Sequence, residues 1–283
     1  MSDAGARVLV FDSGVGGLSI ARSLWQHLPA TEIVYLADNA CFPYGDLAGD
    51  VLDERCVSLV AQVLLEEPCD LVVIACNTAS TVVLPTLRER LNVPVVGVVP
   101  AIKPAAAMSR NRRIGLLATP ATVSRPYLER LIVDYAWDCS IVRIGSSELV
   151  RLAEESLATG TVSSQRIQPI LAPFTRSGVD TVVLGCTHFP LIRGSLIAAL
   201  QSELSWVDSG NAIARRVAQL LPEAAGGEVG AANLMVAFYY SGYESPGLAS
   251  WLEREQVTDR KGKPVSGRRI SPGTGARAST SGS

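Results

Sequence analysis

The sequence predicts an α/β protein of two pseudo-symmetric lobes with mainly parallel sheets, and a functional site in the cleft between the lobes. Short β-branched and aliphatic runs alternate with segments of helical periodicity, which is typical of parallel sheets covered by helices on both faces. The apolar fraction of 48% is large enough for a complete core. A motif of strand, small residue and cysteine also occurs in both halves of the chain, which indicates two copies of one unit.

In the first half of the chain, four apolar runs are predicted as buried strands. They cover residues 8–11, 33–36, 71–75 and 95–99. The intervening segments 18–28 and 47–66 carry apolar residues at helical spacing. This order of elements is the rhythm of consecutive βαβ units.

The second half repeats this order. Residues 114–118, 141–144 and 181–184 are predicted strands, and residues 146–158 and 163–176 are predicted helices. A further amphipathic helix follows Asp208-Ser209-Gly210, and Asp208 or Ser209 is expected to be its N-cap.

The predicted lobes divide the chain at two places. The first lobe takes residues 7–100 and a returning segment at 207–255, and the second takes residues 101–206. Residues 256–283 are rich in Gly, Ser, Arg and Pro and contain no aromatic residue, so we expect a flexible basic tail.

Composition excludes several classes of function. Residues 256–283 hold six basic side chains and one acidic one, which leaves 19 basic against 26 acidic in the rest and disfavours nucleic-acid binding. No apolar stretch approaches the ~20 residues of a membrane span, and the chain does not begin with a signal-peptide pattern, so a cytoplasmic protein is expected. Six cysteines without a CxxC pair are expected to be thiols, neither a disulfide scaffold nor a structural zinc site.

The lysine positions disfavour one cofactor in particular. Pyridoxal phosphate requires a lysine for its Schiff base. Lys103 is the only lysine outside the predicted tail, and it lies in a proline-flanked segment. The lysine positions therefore disfavour pyridoxal phosphate.

The internal repeat places two cysteines at equivalent strand ends. The segment LVVIACNT at 71–78 matches TVVLGCTH at 181–188, and VLVFDSGVG at 8–16 corresponds more roughly to IGLLATPAT at 114–122. Ligands of parallel sheets bind beyond the carboxyl ends of the strands. A pseudo-two-fold arrangement would make these ends face each other across one cleft.

Cys76 and Cys186 each lie where a buried strand ends and a helix is predicted to begin. The N–H groups of a helix start lower the pKa of a thiol and favour its thiolate. Two opposed thiols suit proton removal from one face of a carbon and proton return to the other. Packing of both cysteines in the core, a redox switch and a hydrolytic cysteine are the alternatives.

The motifs around these cysteines resemble the glutamate racemase family, within the aspartate/glutamate racemase group. The resemblance extends in order over almost all of residues 7–221. It is carried by VFDSGVGGLS (10–19), FPYG (42–45), ACNTAS (75–80), PVVGVVPAIKPAA (94–106), GLLATPAT (115–122), VVLGCTHFPL (182–191) and VDSGNAIARR (207–216).

The resemblance implies cofactor-independent interconversion of L- and D-glutamate, which supplies D-glutamate for peptidoglycan. It places Cys76 on the D-face of the substrate and Cys186 on the L-face, with Asp12 and His188 assisting and contacting the substrate. Glu154 matches a carboxylate that supports Cys186. The remaining residues that it implies line the substrate pocket: Ser13, Pro43, Tyr44, Gly45, Asn77, Thr78, Thr119 and Thr187.

The residues themselves leave other roles open. Asp12 is the one obvious negative partner for a substrate ammonium, but a helix cap or an Asx-turn also explains it. A role in capping or ordering its loop is the alternative for His188, which is a better catalytic candidate than His27, the other histidine. The motifs contain no Arg or Lys outside the segment at 94–106 and the end of the last motif, so hydroxyls, the Asn77 amide and backbone N–H groups are expected to hold the substrate carboxylates.

The resemblance extends to partners and leaves other functions in view. FPYG and the segment at 94–106 most resemble a branch activated by the nucleotide sugar UDP-N-acetylmuramoyl-L-alanine. Aspartate as substrate, a non-catalytic regulator that acts on a topoisomerase, and a thiol-redox or metal module are the alternatives. The sequence does not decide between a monomer and a homodimer.

Overall fold

The computed structural model describes residues 5–200, 203–225 and 233–272, and in them it contains two separate, all-parallel β-sheets. The strands are β1 (Arg7–Asp12), β2 (Glu32–Ala37), β3 (Leu71–Ile74), β4 (Val95–Gly97), β5 (Arg113–Ala118), β6 (Ser140–Gly145), β7 (Thr181–Leu184), β8 (Ser205–Val207), β9 (Asn233–Tyr240), β10 (Val257–Thr258) and β11 (Gly267–Arg269). The predicted α/β class with mainly parallel sheets is confirmed.

The two sheets share one topology. The first has the order β10-β9-β2-β1-β3-β4, with β11 also paired to β9, and the second has the order β6-β5-β7-β8. Four strands of the first sheet thus correspond to the four of the second. The register agrees as well, because Val8 pairs with Leu71 in one sheet and Ile114 pairs with Thr181 in the other. These are the positions that the sequence repeat had aligned.

Helices connect the strands, as parallel pairing requires. They are α1 (Leu18–His27), α2 (Gly49–Glu66), α3 (Asn77–Arg90), α4 (Ile102–Met108), α5 (Pro120–Ser124), α6 (Pro126–Tyr135), α7 (Ser147–Glu155), α8 (Ser164–Ser177), α9 (Arg193–Leu200), α10 (Gly210–Leu220) and α11 (Leu248–Arg254). Short 3₁₀ helices cover Asn39–Cys41, Tyr44–Asp46, Phe189–Ile192 and Pro222–Ala225. Among the described residues, no helix is both long and apolar enough to cross a bilayer.

The core follows from the apolar strands and from the helix faces that pack on them. Every residue of β3 and of β7 is buried, as expected for strands covered on both faces. In α1, Leu18, Ala21 and Trp25 are buried on one face, as their spacing predicts. They share one hydrophobic cluster with Val217 of α10, so the returning segment packs on the first sheet.

Ser209 is the N-cap residue of α10 by position, but its hydroxyl does not cap the helix. It donates instead to the carbonyl of Val99, at 2.5 Å. The carboxylate of Asp208 accepts from the N–H of Gly210 at 2.8 Å. Of the two predicted caps, Asp208 is therefore the one whose side chain satisfies a free N–H of the first turn.

The prediction of a flexible tail over residues 256–283 is wrong for residues 256–272. Strands β10 and β11 lie in this segment and both pair with β9. Val257 and Ile270 are buried, at 4% and 3% exposure, so two apolar residues anchor the segment. Composition failed here because a segment that pairs with an existing sheet edge satisfies its backbone groups without a core of its own. Residues 273–283, the rest of the predicted tail, lie outside the described residues.

Candidate active site

The carboxyl ends of the two sheets enclose a small cavity of about 20 Å³. Its walls come from the loops after β1, β3, β5 and β7 and from the 3₁₀ segment at 44–46. The lining residues are Ser13, Pro43, Tyr44, Gly45, Cys76, Asn77, Thr78, Thr119, Val150, Cys186, Thr187 and His188. The eight predicted pocket residues, His188 and both cysteines are in this set, and Val150 is the one that the sequence had not indicated. Asp12, which was also predicted to contact the substrate, is not among the lining residues.

Cys76 lies two residues after the end of β3 and is the N-cap residue of α3. Its thiol donates to Ser13 Oγ at 3.8 Å, and its side chain is 6% exposed. Burial, and after it the nearby Asp12 carboxylate, raise the pKa of this thiol to about 12, against the weaker opposing effect of the Ala79 N–H. The expectation that the helix start lowers this pKa is therefore wrong for Cys76, because desolvation outweighs the helix terminus. At neutral pH the group is a protonated thiol.

Cys186 lies in a different electrostatic setting, next to a histidine. Its Sγ is 3.7 Å from His188 Nδ1. His188 Nε2 lies 2.8 Å from Glu154 Oε1, which makes a chain of thiol, imidazole and carboxylate. Burial alone would lower the pKa of His188, but its bonds with Cys186 and Glu154 prevail, and the pKa is raised well above 6.5. These two contacts therefore favour the protonated form of the imidazole.

Glu154 also connects the two halves of the molecule. The oxygen that contacts His188 accepts the backbone N–H of Val15 at 2.8 Å, and Val15 lies in the β1–α1 loop of the first sheet. Glu154 itself is on α7, which belongs to the second half. The carboxylate thus holds the imidazole and closes the cleft on that side.

Asp12 ends β1 and is completely buried. One carboxylate oxygen accepts the N–H of Gly14 at 3.1 Å, which is the Asx-turn that the sequence had left open. The other accepts the hydroxyl of Thr187 at 2.9 Å, across the cleft. Burial raises the pKa of Asp12 to about 6, and the positive charge at His188 limits the rise.

Two glycines of the β1–α1 loop permit this close approach of the two halves. A Cβ on Gly16 would lie 2.5 Å from both His188 Nδ1 and Thr187 Oγ1. A Cβ on Gly14 would lie 2.1 Å from Glu154 Oε1. Any side chain at either position would displace the groups that flank Cys186, so the glycines are required for space and not for an unusual backbone angle.

The cavity wall carries hydroxyl donors suited to a dicarboxylate. Thr78 Oγ1 and Thr119 Oγ1 lie 3.4 Å apart and join the two halves. Asn77 is buried, and its Oδ1 accepts no hydrogen bond from the residues that the structure describes. An acceptor of this kind beside two thiols is suited to a substrate ammonium, because a buried polar atom costs free energy until it is paired.

Tyr44 has support that the sequence analysis missed. Its hydroxyl donates to the buried carboxylate of Asp38, which also accepts the Arg55 guanidinium and the hydroxyl of Ser241. Asp38 lies four residues before FPYG, so its position near the motif was the one signal available. Phe42, the residue that begins the FPYG motif, packs against His188, and their ring centroids are 5.6 Å apart.

A second and larger cavity, of about 740 Å³, adjoins the first. Asn77, Cys186 and Thr187 line both cavities and form the wall between them. Arg193 and Arg215 line the larger cavity, and neither guanidinium group has a hydrogen bond or ion pair with another described residue. This cavity has the size and charge for an anionic ligand larger than an amino acid.

The structure also bears on thiol-redox and metal chemistry. Cys76 and Cys186 are free thiols, as are the other four cysteines. Within residues 5–200, 203–225 and 233–272, no group of three or more His, Cys, Asp or Glu side chains is arranged to hold a metal ion.

Comparison with known proteins assigns the chain to a family. The model of the Asp/Glu/Hydantoin racemase family matches residues 18–217. Glutamate racemase of Shewanella loihica is 52% identical over 225 residues, which are 80% of this chain and 85% of that protein.

Solved structures agree with this assignment. The crystal structure of Escherichia coli glutamate racemase in complex with L-glutamate and the activator UDP-MurNAc-Ala is 44% identical, with a TM-score of 0.80 over 92% of this chain and 98% of that one. Glutamate racemase from Thermus thermophilus, in complex with β-chloro-D-alanine, is 32% identical, with a TM-score of 0.68 over 95% and 98% of the two chains. The chain therefore belongs to the Asp/Glu/Hydantoin racemase family of isomerases, in its glutamate racemase branch.

Proposed function

We propose that the protein interconverts L- and D-glutamate by proton transfer between two cysteines, without a cofactor. The observation that carries the proposal is that Cys76 and Cys186, from equivalent ends of two sheets, line one cavity. Racemisation requires a base on one face of the α-carbon and an acid on the other. Two thiols that exchange these roles meet that requirement in both directions.

We propose a starting state for each thiol. For L-glutamate, the Cys186 thiolate beside the His188 imidazolium takes the α-proton, and the electron pair of the C–H bond remains on the substrate as a carbanion. The Cys76 thiol, which burial keeps protonated, then delivers its proton to the opposite face. The products are D-glutamate, a Cys186 thiol and a Cys76 thiolate, which is the state that accepts D-glutamate for the reverse reaction.

The other site residues would hold glutamate and stabilise its carbanion. Asp12 and the unpaired Oδ1 of Asn77 are suited to the ammonium group. The hydroxyls of Ser13, Thr78, Thr119 and Thr187, with backbone N–H groups at the helix starts, are suited to the two carboxylates. Fixed dipoles of this kind stabilise a developing negative charge better than water does.

The two halves must separate to admit the substrate. A cavity of about 20 Å³ holds about one water molecule, which is far less than an amino acid needs. The contacts across the cleft, such as Thr187 with Asp12 and Glu154 with Val15, therefore belong to a closed state. Closure also excludes water from the carbanion.

The proposal is tested by incubating L- and D-glutamate with the enzyme in heavy water without added cofactor. We expect the circular dichroism of each enantiomer to decay to zero and each product molecule to carry one solvent deuterium at the α-carbon. Aspartate treated in the same way should keep its circular dichroism. An enzyme that racemises aspartate faster than glutamate, or that exchanges neither, would contradict the proposal.

We further infer that a nucleotide-sugar activator, UDP-N-acetylmuramoyl-L-alanine, regulates the enzyme from the larger cavity. The Escherichia coli relative was solved with this activator, and Arg193 and Arg215 of this chain are suited to phosphate groups. The wall shared with the substrate cavity, including Thr187 and Asn77, offers a route by which occupancy changes the active site.

Titration of this nucleotide sugar into the racemisation assay should raise kcat with saturation. Arg215→Ala should move the half-saturating concentration upward by about tenfold and leave the rate without activator unchanged. A rate that does not respond to the nucleotide sugar would remove this inference and leave the racemase proposal intact.

The biological role that we propose is the supply of D-glutamate for peptidoglycan in the cytoplasm. Two catalytic thiols require a reducing compartment, and all six cysteines are free in the structure.

A further inference from the structure

We propose that helix α11 positions the carboxylate of Glu154, and that Arg254 at the end of this helix is the residue that does so. The inference rests on the proposed function, because it concerns the proton transfer at Cys186. Three sets of contacts carry it. Helix α11 contacts the segment after α7, and Glu154 of α7 contacts the β1–α1 loop. Helix α1, which follows this loop, contacts α11.

The segment after α7 is inserted into the first half of the molecule. Leu157 follows α7 by two residues and is only 2% exposed. It belongs to the hydrophobic cluster of the first sheet, together with Leu248, Trp251 and Leu252 of α11. A residue of the second half thus packs in the core of the first half, beside α11.

Gly247 allows the backbone of this segment to approach α11 closely. Gly247 precedes α11 with a φ of +82°, and a Cβ at this position would lie 2.2 Å from the backbone nitrogen of Ala158. The start of α11 and the Ala158 backbone are therefore in direct contact.

Arg254 fastens the same segment from the other end of α11. Its Nη2 donates to the carbonyl of Leu157 at 2.6 Å, and its Nη1 donates to the carbonyl of Ala158 at 3.4 Å. These carbonyls lie just beyond the C-terminal end of α7, where a positive charge is favourable. The planar guanidinium bonds both carbonyls at once.

Helix α11 is in turn fixed to α1. Arg22 of α1 donates from Nε and Nη2 to the carboxylate of Glu255, at 2.9 and 2.6 Å, and Glu255 directly follows Arg254. The Arg22 guanidinium also lies over the ring of Trp251, 5.4 Å from its centroid. Helix α1 begins immediately after the β1–α1 loop that contains Val15.

These contacts set the distance between α7 and the β1–α1 loop. Glu154 lies one turn before the anchored segment, and a single oxygen of its carboxylate spans that distance by contacting Val15 N and His188 Nε2, each at 2.8 Å. Without the Arg254 contacts, the end of α7 is free to shift, and a shift of about 1 Å breaks one of the two bonds. Arg254 is thus a positioning residue, which acts through Glu154 on His188 and Cys186.

The test is Arg254→Ala, with kinetics measured on α-deuterated L- and D-glutamate. We expect kcat to fall by about tenfold. Because Cys186 is the base for L-glutamate, slowing its step should raise the primary isotope effect on kcat/KM with L-glutamate. The isotope effect with D-glutamate should fall toward one, since the slow step becomes delivery of a solvent proton from Cys186.

Two further variants make the test specific. Arg254→Lys keeps one hydrogen bond to the segment and should recover part of the rate and of the isotope-effect symmetry. Arg166→Ala is the matched control. Arg166 binds Glu155 of α7, the helix that also holds Glu154, at 3.1 Å on the exposed surface, and it does not reach Leu157. It should leave the rate and both isotope effects at wild-type values.

Three outcomes overturn the inference. The first is an unchanged rate in Arg254→Ala. The second is a reduced rate with both isotope effects unchanged, because such a result shows only a loss of folded enzyme. The third is an equal response in Arg166→Ala. If the wild-type protein itself fails to racemise glutamate, the proposed function falls and takes this inference with it.

Discussion

Cys76→Ser and Cys186→Ser should each lower the rate of glutamate racemisation by about a thousandfold. A serine hydroxyl is a far weaker acid than a thiol and cannot alternate between proton donor and acceptor at neutral pH. Each variant nevertheless keeps one competent face. Cys76→Ser should still exchange the α-hydrogen of L-glutamate with solvent through Cys186, and Cys186→Ser should exchange that of D-glutamate through Cys76.

The measurement is the loss of α-deuterium from each enantiomer, followed by proton NMR beside circular dichroism. Cys139→Ser is the matched control, because Cys139 lies outside both cavities and its thiol bonds the neighbouring Asp138. It should retain the wild-type rate. Two-way racemisation that survives in either active-site variant would exclude the two-base mechanism.

Asp12→Asn should lower kcat by about a hundredfold and yet raise the stability of the folded protein at neutral pH. The activity falls because the variant removes the buried negative charge behind the cavity wall, where Asp12 accepts the hydroxyl of the lining residue Thr187. The stability rises because burial holds the pKa of Asp12 at about 6, against an ordinary 3.8, so its ionised form is unfavourable in the folded protein. A difference of this size corresponds to about 3 kcal/mol.

The sign of the pH dependence follows from the direction of that shift. Between pH 3.8 and about 6 the folded protein binds a proton at Asp12 that the unfolded chain has released. The stability that this group contributes is fully present below pH 3.8 and is lost as pH rises through about 6. The free energy of unfolding of Asp12→Asn, measured with urea, should therefore exceed that of the wild type by an amount that grows from pH 4 to 7 and is constant above.

Asp180→Asn provides the opposite case. Burial would raise the pKa of Asp180, but hydrogen bonds from the N–H of Asn111 and the hydroxyl of Ser109 prevail and hold it below 3.8. This variant should lose stability by the same amount at every pH from 5 to 8, because the group is ionised in both states there.

The Asp12 prediction fails if the stability curves of Asp12→Asn and the wild type are parallel. Parallel curves would show that Asp12 is ionised in the folded protein well below pH 6.

Particular elements show how far the sequence could be interpreted. The strands at β1, β3, β5 and β7 were predictable because both faces of each are buried and their apolar runs are nearly continuous. The first-sheet strands β10 and β11 were not, because they are short, rich in polar residues and held by the edge of β9. No local pattern reports a partner that lies elsewhere in the chain.

The sequence by itself determined which residue types end equivalent strands, because strand periodicity is encoded locally and the strand motif repeats 110 residues apart. It follows from this repeat that the two cysteines lie at one cleft. Only the tertiary structure decided the surroundings of each thiol. Burial keeps Cys76 a thiol. Cys186 instead lies next to His188 and Glu154, and Glu154 also binds Val15, which is 139 positions away. Desolvation and charge act through space, so they depend on the packed fold rather than on neighbours in the chain.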